Sequence, residues 1–198
     1  MNTISKFERF GFVFLLASVL AGTPTGAMGS KAPSTIPEVP ISRFQKVSEG
    51  IYRGGRPDLS GIIAMRKFGI RTILNLDNSD EKVDQEQVYA ESTGFKYLSF
   101  PMSAIRTPSD ELIYSILDSL KDPTLRPIYI HCKLGKDRTG LMVGLHRVLT
   151  EGVDAKVAYR EMREIGFNPI YRPLVKTFRR YTNFSSASNS EILATLAD

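Results

Sequence analysis

The chain has 198 residues, 42% of them apolar and 24% charged, with a formal net charge of +5. That length supports one domain with a good core and is short for two. The modest positive charge favours anionic partners but is too diffuse to specify nucleic acid, and the single cysteine excludes an intramolecular disulfide.

Lys6 and Arg9 precede the apolar run Phe10 to Ala21, which is followed by Gly22, Pro24 and the small residues Thr25-Gly26-Ala27. This is the pattern of an export signal over residues 1–27, with a periplasmic or secreted destination. The apolar run is short of the ~20 residues that span a bilayer, so no stable membrane insertion is expected after processing. No cysteine follows it to carry a lipid. Residues 28–43 are rich in Pro and Ser and show no helical or strand period, which reads as a flexible lead-in.

The folded part is expected over 44–185. Ile51-Tyr52-Arg53 reads as a short strand stopped by Gly54-Gly55, and Leu59, Ile62, Ile63, Met65 and Phe68 mark a helix closed by Gly69. The run Ile70 to Leu76 predicts a strand. A charged helix from Asp80 to Ser92 and a strand from Lys96 to Phe100 follow. Thr107 or Ser109 can then cap a helix carrying Leu112, Ile113, Ile116, Leu117 and Leu120. Pro127 admits a strand over Ile128 to Ile130 leading into His131 and Cys132. Three helical segments come after it, Thr139–Leu149, Asp154–Ile165 and Tyr171–Phe184, the first apolar nearly all round. Residues 186–198 form a polar, then weakly apolar tail. Alternating strands and helices imply a single α/β domain, a mixed sheet of four to five strands flanked by helices.

The only cysteine lies where that last strand gives way to a helix. A strand, a compact loop and a helix start make an anion-binding device, because free N–H groups of the loop and first turn point inward and the helix adds positive potential. Gly135 lets the backbone fold closely round an anion. The spacing from Cys132 to Arg138 lets the loop turn back, so that the guanidinium faces the sulfur. The same field favours the thiolate, making a nucleophile while gathering the anion it will attack, and the arginine's rigid fork suits two oxygens of a transferring group.

The stretch His131-Cys132-Lys133-Leu134-Gly135-Lys136-Asp137-Arg138-Thr139-Gly140 resembles the signature of the cysteine-dependent protein tyrosine phosphatase superfamily. Ile51-Tyr52-Arg53-Gly54-Gly55-Arg56-Pro57 is similar to the opening of its compact dual-specificity branch, and the likeness extends over residues 44–182. The resemblance implies a phosphomonoester hydrolase with a phosphocysteine intermediate and no cofactor. Cys132 would be the nucleophile, Arg138 and the loop amides from Lys133 through Leu134 and Gly135 to Lys136 the phosphate clamp, Thr139 an aid to thiolate departure, and His131 a support of the loop that tunes the thiol. Metal catalysis has no support, since His131 and His146 lack ligand-spaced partners.

Lys133 and Lys136 exceed what one phosphate monoester needs. They resemble the loops of phytase-like and inositol phosphatase members and point to a polyanionic small molecule, an inositol polyphosphate or phosphoinositide. Arg53, Arg56 and Arg106 would enlarge a basic rim. The alternatives are a dual-specificity or tyrosine phosphatase acting on phosphoproteins and, with another chemistry, a phosphate-binding module that no longer turns over. The family's general acid is expected on the loop after the strand at Lys96–Phe100, yet the early part of Pro101–Asp110 holds none. Asp110 and Asp137 are the two candidates for protonating the leaving oxygen.

Overall fold

The computed structural model describes residues 39–184. The predicted export signal, the first part of the lead-in and the tail from residue 186 lie outside the described residues. In chain order the elements are β1 (Gln45–Ser48), β2 (Ile51–Gly54), α1 (Leu59–Phe68), β3 (Thr72–Asn75), α2 (Asp80–Ser92), β4 (Lys96–Ser99), α3 (Asp110–Lys121), a 3-10 turn at Pro123–Leu125, β5 (Ile128–His131), α4 (Asp137–Leu149), α5 (Ala155–Glu164) and α6 (Arg172–Thr182).

The five strands run in the order β1-β2-β5-β3-β4. All neighbours are parallel except β1, which pairs antiparallel with β2. The expected mixed sheet is therefore present. Strand β1 has no counterpart in the sequence reading: Gln45-Lys46-Val47-Ser48 carries one apolar residue, and its pairing comes from the hairpin onto β2. The folded part also starts earlier than Phe44, since Val39 and Ile41 are buried against α1.

Alternation along the strands separates two layers. Ile73 and Tyr129 face α1 and α2, packing with Ile62, Met65 and Ala90. Leu74, Ile128 and Ile130 face α3 to α6. Buried on both faces, the strands read as short continuous apolar runs. Asp58 caps α1 through the Gly61 N–H at 2.8 Å, and Ser109 takes the cap of α3 through Leu112 N–H at 3.2 Å. Helix α4 packs against α3, α5 and α6, which explains why its sequence is apolar all round. Among the described residues, no helix is long and apolar enough to cross a membrane.

This topology positions the site. Gly54, His131 and Asn75 are cross-strand partners on β2, β5 and β3, and Asn75 pairs in turn with Ser99 of β4. Four loops thus leave one edge of the sheet side by side, at the carboxyl ends of parallel strands.

Leu145 is fully buried at the centre of α4. Leu145→Ala should lower the unfolding free energy by about 2–5 kcal/mol through lost transfer energy and a residual cavity, measured by urea titration. A stability unchanged from wild type would mean that α4 is not the core of the helical layer.

Candidate active site

The catalytic-loop candidate, residues 132–136, is pressed backbone to backbone onto the end of β2. Gly135 has φ +69, and a Cβ there would overlap the carbonyl of Gly54 and lie 2.7 Å from Gly55 N. The position therefore requires glycine on both counts. Three loop carbonyls are held from outside. Arg56 N–H donates to Lys133 O at 3.3 Å, Arg43 Nη1 to Leu134 O at 3.3 Å, and Arg53 Nη2 to Gly135 O at 2.7 Å. Among the described residues, the N–H groups of Lys133, Leu134, Gly135 and Lys136 donate to no protein acceptor. Carbonyls bonded outward, amides left to a ligand and a helix start beyond them form an anion nest.

Arg138, in the first turn of α4, faces the loops after β3 and β4. Its Nη1 donates to Leu76 O, Asp77 Oδ1 and Met102 O, each at 3.3 Å, and to Asn78 Oδ1 at 2.9 Å. Among the described residues these are all of its protein hydrogen bonds, so the edge formed by Nε and Nη2 is free to bind a ligand bearing two acceptor oxygens.

Asp77 is 2% exposed in its side chain and joins two cations. Its Oδ1 faces Arg138 and its Oδ2 accepts from Arg56 Nη2. Its own N–H donates to Asn75 Oδ1 at 2.7 Å. Burial alone would raise the Asp77 carboxyl, but the Arg56 hydrogen bond and the charges of Arg138 and Arg56 hold it below the usual carboxylate range. The sequence reading missed Asp77 altogether, because an acid just past a strand looks like a turn residue.

Cys132 is 2% exposed at the mouth of β5, and Thr139 is fully buried with an Oγ1 that has no hydrogen-bond partner among the described residues. His131 is fully buried; its Nε2 lies 2.7 Å from Glu86 Oε1 of α2, and its ring stacks on Tyr129. Its polar contact braces β5 against α2, where a support of the loop itself was expected. Lys133 and Leu134 are exposed. Lys136 is half-buried, its stem lying where a Cβ on Gly166 would meet it at 3.2 Å. Arg106 is exposed on the loop that supplies the Met102 carbonyl.

Two expectations change. Arg53 is not a rim residue: it is 1% exposed and holds the loop from beneath. Burial pulls its guanidinium down to about 10, still well above neutral pH, so it remains a cation there. A side chain long enough to reach a rim was read as solvated when it in fact crosses under the loop. Asp110 is committed elsewhere: its Oδ1 accepts from Arg180 Nη2 and from Tyr181 Oη at 2.7 Å, tying α3 to α6. Asp137 stays on the loop side of α4, where one oxygen accepts the Asn168 N–H at 2.7 Å.

The family model for the DSP-PTPase phosphatase fused to NAD+ kinase matches residues 41–173. Dual specificity protein phosphatase TpbA of Pseudomonas aeruginosa is 26% identical over 155 residues, 78% of this chain and 68% of that protein. Inositol diphosphatase DSP4 of Arabidopsis thaliana is 32% identical over 114 residues, 55% of this chain and 57% of the plant protein. The core catalytic domain of the PP-IP phosphatase SIW14 from S. cerevisiae, solved with citrate, shares the fold with a TM-score of 0.61 at 22% identity, covering 80% of this chain and 95% of that one. A family match across most of the chain, its one cysteine included, identifies the protein as a member of the DSP-PTPase family and a cysteine-dependent phosphatase.

Proposed function

We propose that this phosphatase acts on inositol polyphosphates after export from the cytoplasm. The observation that carries the substrate class is the excess of cations round the loop. Arg138 and the loop amides already suffice for one phosphoryl group, yet Lys133 and Lys136 stand on the loop itself, with Arg56 and Arg106 on its neighbours. Several phosphates on one small ring would give Lys133, Lys136 and Arg106 partners, while Arg56 is already paired with Asp77. Arabidopsis inositol diphosphatase DSP4 among the relatives supports the same class. Export rests on the charged-apolar-small pattern of residues 1–27.

In this mechanism the Cys132 thiolate attacks phosphorus from the floor of the nest. The Nε–Nη2 edge of Arg138 and the N–H groups of residues 133–136 bind the equatorial oxygens, whose charge they offset best at the transition state. The P–O bond to the leaving alcohol breaks and the phosphocysteine forms, with Asp137 giving its proton to the leaving oxygen. Water then attacks phosphorus, surrendering a proton to the same carboxylate, and the S–P bond breaks. The Thr139 hydroxyl, without a partner among the described residues, donates to the departing thiolate.

A phosphoprotein substrate is the second reading. Leu134 is 50% exposed within the loop itself, and Ile105 and Ile170, 75% and 72% exposed, lie on the two loops whose Met102 and Asn168 touch Arg138 and Asp137. Apolar residues there suit a peptide better than a ring of phosphates.

The deciding experiment compares kcat/KM for inositol hexakisphosphate and a phosphotyrosine peptide under reducing conditions, using protein without residues 1–27. The inositol substrate is expected to be preferred and Cys132→Ser to be inactive on both. Preference for the peptide would transfer the assignment to protein substrates. As a separate test of the acid, Asp137→Asn should lower kcat on inositol substrates by about 10²-fold and leave p-nitrophenyl phosphate, whose phenolate departs unaided, nearly unchanged. Equal turnover of the inositol substrate by the variant and the wild type would remove Asp137 from that role.

A further inference from the structure

The fork of Arg138 is useful only if one of its edges is fixed. A free arginine side chain retains many rotamers, and ordering it costs conformational entropy. In this structure the ordering is done on Nη1, by four acceptors from two loops. Three of them are neutral, the carbonyls of Leu76 and Met102 and the side-chain oxygen of Asn78. Asp77 alone is charged, and it is buried, so it alone distinguishes a guanidinium from any other donor in that place.

Asp77 is itself held rigidly. Its N–H is bonded to Asn75 Oδ1, and Asn75 Nδ2 donates to Tyr97 Oη at 2.7 Å. The carboxylate is thus fixed to the end of β3, next in register to His131, the residue before the nucleophile. The second oxygen carries Arg56. That pairing matters electrostatically: a lone carboxylate would cancel the charge of Arg138, whereas two guanidinium groups around one carboxylate leave a net positive cluster for an incoming anion.

We infer that Asp77 is the positioning residue of the phosphate clamp, locking Nη1 of Arg138 so that the Nε–Nη2 edge faces the phosphoryl group, with Arg56 preserving the positive charge of the cluster. Asp77 touches no reacting atom in this arrangement and acts through Arg138. The inference rests on the phosphatase chemistry of the loop but not on the identity of the natural substrate, so its test uses p-nitrophenyl phosphate and an inert oxyanion.

Asp77→Asn keeps the shape and removes the charge. It is expected to lower kcat/KM for p-nitrophenyl phosphate by about 10- to 100-fold, as small misplacements of a clamp do, and to raise the tungstate dissociation constant in parallel. The discriminating measurement is a double-mutant cycle on tungstate binding. In an Arg138→Lys background, which has no fork to orient, Asp77→Asn should cost less than about 3-fold. Equal cost in both backgrounds would reduce Asp77 to a general support of the fold and overturn the inference. So would wild-type activity of Asp77→Asn. A loss confined to alkyl phosphates, with the aryl ester spared, would make Asp77 a proton donor and overturn it as well. Thermal unfolding checks that each variant is folded. Should Asp77→Asn not fold, Arg56→Gln removes the other tether of the same carboxylate. A smaller loss of tungstate affinity is then expected, again absent with Arg138→Lys, and no loss at all would count against the inference.

Discussion

The place where Gly135 meets Gly54 admits no side chain, and the backbone there takes a left-handed turn (φ +69) that glycine alone adopts cheaply. Because the two backbones touch, the catalytic loop is fixed to the sheet by its edge instead of by its side chains. Its carbonyls turn outward to Arg43, Arg53 and Arg56 N–H, and its amides are left facing the anion. The outward turn of the loop carbonyls, and with it the nest, depends on that contact.

Charge is distributed round the loop in two layers with different tasks. Beneath it lies Arg53, buried and without a carboxylate ion-pair partner among the described residues, its Nη2 on the Gly135 carbonyl. A buried guanidinium in that position is costly unless an anion stands near. In the proposed mechanism, the Cys132 thiolate and then the phosphoryl group would supply one. Beside the loop lie Arg138 and Arg56, with Asp77 between them. One layer shapes the loop and the other stands at its mouth. Lys133, exposed on the loop, adds attraction at longer range, where solvent screens it more strongly.

The helical layer serves the same site indirectly. Helix α4 starts at Asp137 and is surrounded by α3, α5 and α6, so its first turn is presented to the loop with little freedom. Asp110 belongs to this scaffold, joined to Arg180 and Tyr181, while Asp137 links the same first turn to the segment before α6 through Asn168. Two acids equivalent in sequence terms, each beginning a helix, are thereby given different work. The relatives of this family span dual specificity and inositol phosphatases. The mixture of lysines and exposed apolar residues on the loops of this chain lies between those two substrate chemistries.

The order of the elements from β2 onward, Ser109 as one of two candidate caps for α3, the glycine that shapes the loop and the Cys132-to-Arg138 motif were legible from residue type and spacing. Each depends on local backbone preference or on a short stretch of chain. What the sequence could not disclose depends on long-range approach. Strand β1 exists because a hairpin carries a polar segment onto β2, and no local pattern announces it. Arg53 is buried because its strand runs under the loop, and Asp110 is occupied because α6 returns to meet α3 across 70 residues of chain. Asp77 was overlooked for the same reason, since its two partners come from the ends of β2 and α4, which only parallel pairing brings together. The sequence by itself determined the chemistry available to the loop; tertiary structure decided which charges are buried, which are paired and which face the substrate, because those depend on distances that spacing along a chain does not contain.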